Sequence, residues 1–305
     1  MVNELPLPMF WNRLKASLEM IKFEHSVFAL PFALTAALLA FREKPTDGGA
    51  ALAKVFWIVV AMVGTRSAAM AFNRVLDAEI DGRNPRTRMR HIPAAMLSAR
   101  FAWTLVAAAA LVFLTASWML NPVCLMLAPL ALGVVFFYSY TKRFTSLSHV
   151  VLGLSLGIAP AAAWIAVTGS LDARILWLTA AVTFWTAGFD VIYSCQDFEF
   201  DRAQGLFSIP GRFGIAAALR IARVFHGLMA ACLLALVRTF HLGWLSLAGV
   251  AAVGGLLVYE HSLVKPSDLS RINAAFFTVN GWVGMVFLLF WAADIYLPRV
   301  GTWGL

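Results

Sequence analysis

Nine apolar segments, roughly 25–41, 55–72, 102–120, 123–140, 149–168, 174–194, 219–237, 242–259 and 273–296, leave this chain few ways to fold. A helix that crosses the hydrocarbon core of a bilayer needs about 20 predominantly apolar residues. Soluble domains average roughly 45–50% apolar residues. Here the figure is 61% over 305 residues, more than a water-soluble chain of this size can bury. The expected fold is all-α and integral to the membrane, with nine transmembrane helices in a bundle. Asn121-Pro122 marks a tight turn between two of them. No long soluble insertion, low-complexity tract or linker interrupts the series, so residues 1–305 read as a single domain.

The net charge of +8 fits this picture without a nucleic-acid partner. Placing the N-terminus in the cytoplasm leaves Arg42, Lys44, Lys54, Arg174, Arg238 and Arg299 on the opposite side, with Arg66 inside a span. The other lysines and arginines gather at the cytoplasmic face, as the positive-inside rule requires. Nine spans then put the C-terminus outside. Residues 1–23 place Phe10, Leu14, Leu18 and Ile21 at helical spacing, which predicts an amphipathic helix in the membrane interface and not a cleavable signal. Cys124, Cys195 and Cys232 lack metal-site spacing.

Against this apolar background, charge is concentrated in two cytoplasmic segments, 77–101 and 195–218. Asp77-Ala78-Glu79-Ile80-Asp81 is echoed by Asp197-Phe198-Glu199-Phe200-Asp201. Both follow a span and open a basic loop, which points to a pseudo-repeat of two helix groups. Asn73, Asp77 and Asp81 are spaced by four, as are Tyr193, Asp197 and Asp201, and Asp190 lies seven before Asp197. Residues at such spacing share one helix face. Each segment therefore offers two stacked carboxylates with a polar residue one turn deeper, while Glu79 and Glu199 point elsewhere.

Clustered carboxylates repel unless a cation lies between them. Hard oxygen donors suit Mg²⁺, which takes one or two carboxylates together with substrate phosphate oxygens. Arg83, Arg86, Arg88, Arg90, Lys142, Arg143, Arg202 and Arg212 surround them and supply the second half of a diphosphate site. A diphosphate met at a membrane face implies a lipid diphosphate, most naturally an allylic polyprenyl diphosphate. Loss of its diphosphate leaves an allylic cation, which a dry aromatic-lined cavity protects from water. Phe136, Phe137, Tyr138 and Tyr140 are the candidate aromatics.

At these residues the chain resembles the UbiA superfamily of intramembrane prenyltransferases. The resemblance rests on N-x-x-x-D-x-x-x-D (Asn73, Asp77, Asp81) and D-x-x-Y-x-x-x-D-x-x-x-D (Asp190, Tyr193, Asp197, Asp201). NPRT (84–87), the stretch from Tyr140 to Thr145, GLFSIPGRFG (205–214) and IKFEHSVFALPFAL (21–34) are similar to the 4-hydroxybenzoate polyprenyltransferase branch. The resemblance implies nine helices around a central cavity that opens to the cytoplasm and laterally to lipid, in a plasma membrane of bacterial type. It implies Mg²⁺ held by Asp77, Asp81, Asp197 and Asp201, with Asn73, Lys142 and Arg143 on the diphosphate. Where the family commonly continues NPRT with Arg-Pro-x-Pro-x-Gly, this chain has Arg90-His91-Ile92-Pro93-Ala94-Ala95.

Further candidates follow individually. Asp190 is an intramembrane acid, a functional hypothesis by default, with the role of orienting or deprotonating an acceptor. Arg66 shares a face with Asn73 and needs a partner inside the span, either an aromatic carboxylate or an acid such as Asp190. Arg86, Arg90 and Tyr193 are substrate-binding candidates at the diphosphate end, and Glu24 and His25 near the acceptor end. Asp77 and Asp197 would also act in catalysis by drawing off the diphosphate. The expected substrates are a polyprenyl diphosphate and an aromatic acid of the 4-hydroxybenzoate type, in ubiquinone or menaquinone synthesis. No obligatory protein partner is inferred. 1,4-Dihydroxy-6-naphthoate is the alternative acceptor. A lipid-phosphate transporter is the rival from another class, but transporter sites usually lie at the midplane near broken helices, and here the acids sit at span ends.

Overall fold

The structure, a computed structural model, describes residues 16, 17, 19, 20 and 28–297. Most of the expected interfacial helix, the candidates Glu24 and His25, and Arg299 lie outside the described residues. The described residues form helices in the order α1 (Leu30–Glu43), α2 (Gly48–Leu76), α3 (Ala78–Arg83), α4 (Ala99–Leu120), α5 (Pro122–Thr141) and α6 (Ser148–Thr168). There follow α7 (Leu176–Ser194), α8 (Phe198–Ala203), α9 (Ile209–Phe213), α10 (Ile215–Thr239), α11 (Trp244–Ser262), a π-helix (Ala274–Val279) and α12 (Asn280–Tyr296). Eight stretches among the described residues are long and apolar enough to cross a membrane. The ninth expected span appears as α1, of 14 described residues.

Local chemistry sets the ends of these helices. Asp47 caps α2 by accepting from the Gly49 and Ala50 amides. Ser98 caps α4 through Phe101 N–H, and Asn121 caps α5 through Cys124 N–H with Pro122 at the first turn. Gly169 ends α6 at φ 83°. The last carbonyls of α6 also receive donors from other elements. Lys54 Nζ donates to Ala166 O and Val167 O, Lys44 Nζ to Thr168 O and Asn121 Nδ2 to Ile165 O. Buried backbone acceptors in lipid demand such donors.

Helix α2 packs on α4, α6 on α1 and α7, α7 on α10, and α12 on α11 and α1. Close approach requires small residues at the contacts. A Cβ on Gly153 of α6 would come within 2.2 Å of Thr183 O on α7. Phe32, Trp185, Phe287 and Trp291 stack in the core. There the indole N–H of Trp185 donates to Asn280 Oδ1 at 2.7 Å, and Asn280 Nδ2 donates to Glu260 and to the carbonyls of Ala275 and Phe276 at the π-helix. Large apolar side chains such as Leu111, Met126, Leu130, Val258 and Leu289 cover the outside, as lipid contact requires.

The two acidic repeats share one backbone device. Helix α2 stops at Asp77 (φ −92°, ψ 3°), and the six-residue α3 follows. Helix α7 passes through a 3₁₀ turn, Cys195–Asp197, to Asp197 (φ −97°, ψ 8°), and the six-residue α8 follows. In both repeats the first aspartate sits at the break.

Two stability outcomes follow. Gly153→Ala forces α6 from α7 and should cost about 1–3 kcal/mol, read as a lower unfolding temperature in detergent. Ala95, at the position where glycine was expected, keeps φ 58°. A left-handed non-glycine residue costs roughly 1–2 kcal/mol, so Ala95→Gly should raise that temperature.

Candidate functional site

A cavity of about 1170 Å³ runs between α2, α4, α5, α6, α7 and the π-helix. Its polar end is lined by Asn73, Asp77, Asp81, Asn84, Arg86, Arg90, Lys142, Asp197 and Asp201. Both repeats therefore converge on one space.

Asp77 and Asp81 are only 2% and 4% exposed. The sequence analysis placed a bound cation between the carboxylates and left the basic residues to the diphosphate; in the structure the basic side chains themselves pair with the acids. Asp77 is held by Lys142 Nζ (2.6 Å), Arg143 (3.0 Å) and Asn73 Nδ2 (2.9 Å). Asp81 takes both oxygens to Arg90 (2.7 and 2.8 Å), with Arg74 at 3.9 Å. Asp197 is gripped by Arg86, and Asn84 Nδ2 donates to it at 3.0 Å. The reason is tertiary: loops distant in sequence fold back over the acids. NPRT of the first repeat lies on the aspartate of the second. Burial of the Arg86 guanidinium would lower its pKa, but the hydrogen bond and charge of Asp197, with Tyr193 and Asp81, raise it above its ordinary value.

Among the described residues no three metal-ligating side chains converge closely enough to cage an ion. The carboxylates that line this end, two from each repeat, are the hard oxygen donors that Mg²⁺ of the substrate-bridging kind takes one or two of, completing its shell with phosphate oxygens and water. Asp77, Asp81, Asp197 and Asp201 are the oxygens available. Glu79 and Glu199 are exposed, Glu79 pairing with Arg83, as their spacing predicts.

Deeper in the cavity stand Arg66, Asp190 and Tyr193. Asp190, offered to Arg66 as one possible partner, instead pairs with His149 Nδ1 at 2.7 Å. His149 was missed because a lone histidine opening an apolar span has no motif around it. Arg143 does not line the cavity, but it reaches Asp77. The aromatic lining also differs from expectation. Phe137 and Tyr140 are exposed and Phe136 stacks on Phe72, so only Tyr138 of that run lines the cavity. Neighbouring residues on a helix face different directions. The aromatic wall is instead Tyr193, Phe276 and Phe277, continued by Phe189 and Phe28; the Tyr193 and Phe276 rings lie 4.1 Å apart. Arg86 lies over the Tyr193 ring at 5.5 Å, which ties this wall to the acidic end.

The model of the UbiA prenyltransferase family matches residues 29–291. The 4-hydroxybenzoate octaprenyltransferase of Methylococcus capsulatus is 34% identical over 262 residues, covering 83% of this chain and 84% of that one. The 4-hydroxybenzoate solanesyltransferase of Synechocystis is 30% identical over 234 residues, covering 76% and 79%. The apo structure of a UbiA homologue from Aeropyrum pernix superposes with a TM-score of 0.80 at 33% identity, over 90% of this chain and 98% of that one. A UbiA homologue from Archaeoglobus fulgidus, solved with GPP and Mg²⁺, shares the fold with a TM-score of 0.71 at 18% identity, over 92% and 100%. With the convergent acidic repeats, the cationic clamp and a match over most of its length, this integral membrane chain belongs to the UbiA prenyltransferase family.

Proposed function

We propose that this protein transfers a polyprenyl group from an allylic polyprenyl diphosphate to a ring carbon of an aromatic acid of the 4-hydroxybenzoate type, with Mg²⁺ as cofactor. One observation carries the reading. A single cavity joins an acid-and-guanidinium end to an apolar aromatic end that carries one further cation, Arg66, and one further acid, Asp190. The relatives named as 4-hydroxybenzoate prenyltransferases support the choice of acceptor, and the homologue solved with GPP and Mg²⁺ supports the donor and metal.

Lys142, Arg86 and Arg90 meet the diphosphate, while Arg143 and Asn73 hold Asp77 in place. When bound, Mg²⁺ neutralises charge on the departing diphosphate. These cations exchange carboxylate partners for phosphate oxygens, so that positive charge is in place as the C–O bond breaks. Tyr193, Phe276 and Phe277 present ring faces to the allylic cation and keep water from it. Arg66 holds the acceptor carboxylate. The ring carbon ortho to the hydroxyl attacks, and Asp190 receives the proton lost as aromaticity returns. The product stays in the bilayer as a quinone precursor, of the ubiquinone or menaquinone type. The N-terminus and both motif loops face the cytoplasm, and residues 1–305 act as one catalytic domain.

Purified protein in nanodiscs with Mg²⁺ and geranyl diphosphate, offered 4-hydroxybenzoate and 1,4-dihydroxy-6-naphthoate separately, should prenylate one of them, read by mass spectrometry. Product from the naphthoate alone moves the acceptor to the alternative. No Mg²⁺-dependent binding of a prenyl diphosphate sinks the enzyme reading in favour of transport. Asp77→Ala should lower turnover at least about a hundredfold, roughly 2.7 kcal/mol, and chelation should abolish it. Arg86→Lys keeps the charge but loses the two-pronged grip. It should raise KM for the prenyl diphosphate about tenfold while the acceptor KM stays constant.

A further inference from the structure

His149 belongs to no motif, yet it joins the two ends of the site. It lies in the first turn of α6, is 4% exposed, and lines the cavity. Its Nδ1 is 2.7 Å from Asp190 Oδ2, and its Nε2 is 3.2 Å from the backbone nitrogen of Ile209. A backbone N–H can only donate, so Nε2 accepts and carries no proton. The ring proton therefore sits on Nδ1 and is donated to Asp190. Both ring nitrogens are used, in opposite senses, and this fixes tautomer and ring orientation together.

Ile209 opens α9, directly after the loop that closes the diphosphate end. In that loop Leu206 N–H bonds Asp201 O, Phe207 N–H bonds Lys142 O (both 2.8 Å), and Ser208 Oγ accepts from Gly211 N–H. One imidazole thus connects the loop carrying Lys142 and Asp201 contacts to the carboxylate deep in the cavity.

We propose that His149 is a positioning residue: it orients Asp190 toward the acceptor and couples that orientation to the loop at the diphosphate end. This rests on the reading of Asp190 as an acceptor-end group. With Oδ2 engaged by His149, Oδ1 is the oxygen left for the acceptor. Seating of a diphosphate against Lys142 and Asp201 steadies the 206–209 backbone and, through the ring, Asp190.

The geometry specifies a rescue. Glutamine reproduces both bonds, since its amide N–H₂ donates to Asp190 and its carbonyl accepts from Ile209 N–H. Leucine makes neither. The test measures steady-state kinetics of His149→Leu and His149→Gln in nanodiscs with geranyl diphosphate, Mg²⁺ and whichever acid the wild type prenylates. It also follows amide hydrogen exchange across residues 206–212. His149→Leu should raise the acceptor KM about tenfold, the scale of one lost hydrogen bond to a charged group, raise the geranyl diphosphate KM by a smaller factor through the loosened loop, and speed exchange at Ile209. His149→Gln should restore most of both. In an Asp190→Asn background the further effect of His149→Leu should shrink, because the two act together.

An acceptor KM unmoved by His149→Leu overturns the proposal. So does an equal rise of both KM values with a lower unfolding temperature, which marks a purely structural histidine. Unchanged exchange at Ile209 defeats the coupling independently of any chemistry. Wild-type protein that prenylates neither acid defeats the acceptor reading itself, and the catalytic half of this proposal with it; the exchange result then still decides whether the ring ties the loop to Asp190.

Discussion

A carboxylate cannot sit bare inside an apolar bundle. The cost of stripping water from an ion is several kcal/mol, and removing one member of a buried pair typically costs about 3–5 kcal/mol. Asp77 and Asp81 are almost wholly buried, so the loops around them must deliver cations. Lys142 and Arg143 come from the end of α5, Arg90 from the loop after α3, and Arg86 crosses to Asp197 of the other repeat. The interlocking of the motif loops follows from this electrostatic requirement.

The same pairing gives the site its latent reactivity. Each aspartate is matched to a guanidinium or ammonium that binds phosphate oxygens equally well. A metal–diphosphate substrate brings both signs of charge and can take over both halves of each pair. Buried ion pairs add little net stability by themselves; pairs placed at one end of an otherwise apolar cavity are what the proposed metal–diphosphate ligand would use.

Two kinds of backbone irregularity shape the cavity. The break at Asp77 and its counterpart at Asp197 turn the carboxylates inward at the same backbone angles. The π-helix at Ala274–Val279, with Asn280 donating to its carbonyls, carries Phe276 and Phe277 onto the cavity wall. Such π-turns recur at functional sites. The loop Arg90–Leu97 closes through the amides of Met96 and Leu97 on His91 O, with Ala95 held in the left-handed region. The substitutions in that loop therefore leave a tight turn in place, at the cost of strain at Ala95.

Hydropathy alone determined the all-α membrane bundle and the order of its helices, because lipid tolerates no other arrangement for segments so apolar. The four-residue spacing determined that Asn73, Asp77 and Asp81 form one set and Tyr193, Asp197 and Asp201 another, because helical periodicity is a local property; folding brought the two sets to one space. Only the tertiary structure decided which cation meets which acid, since Arg86 and Asp197 or Lys142 and Asp77 are neighbours through folding and not through spacing. It alone replaced the aromatic run at Phe136–Tyr140 with Phe276 and Phe277 from the far end of the chain. It alone revealed His149 beside Asp190. A side chain's direction around a helix can be read from its neighbours in sequence, but its partner on another helix is set by packing between elements that the sequence does not index.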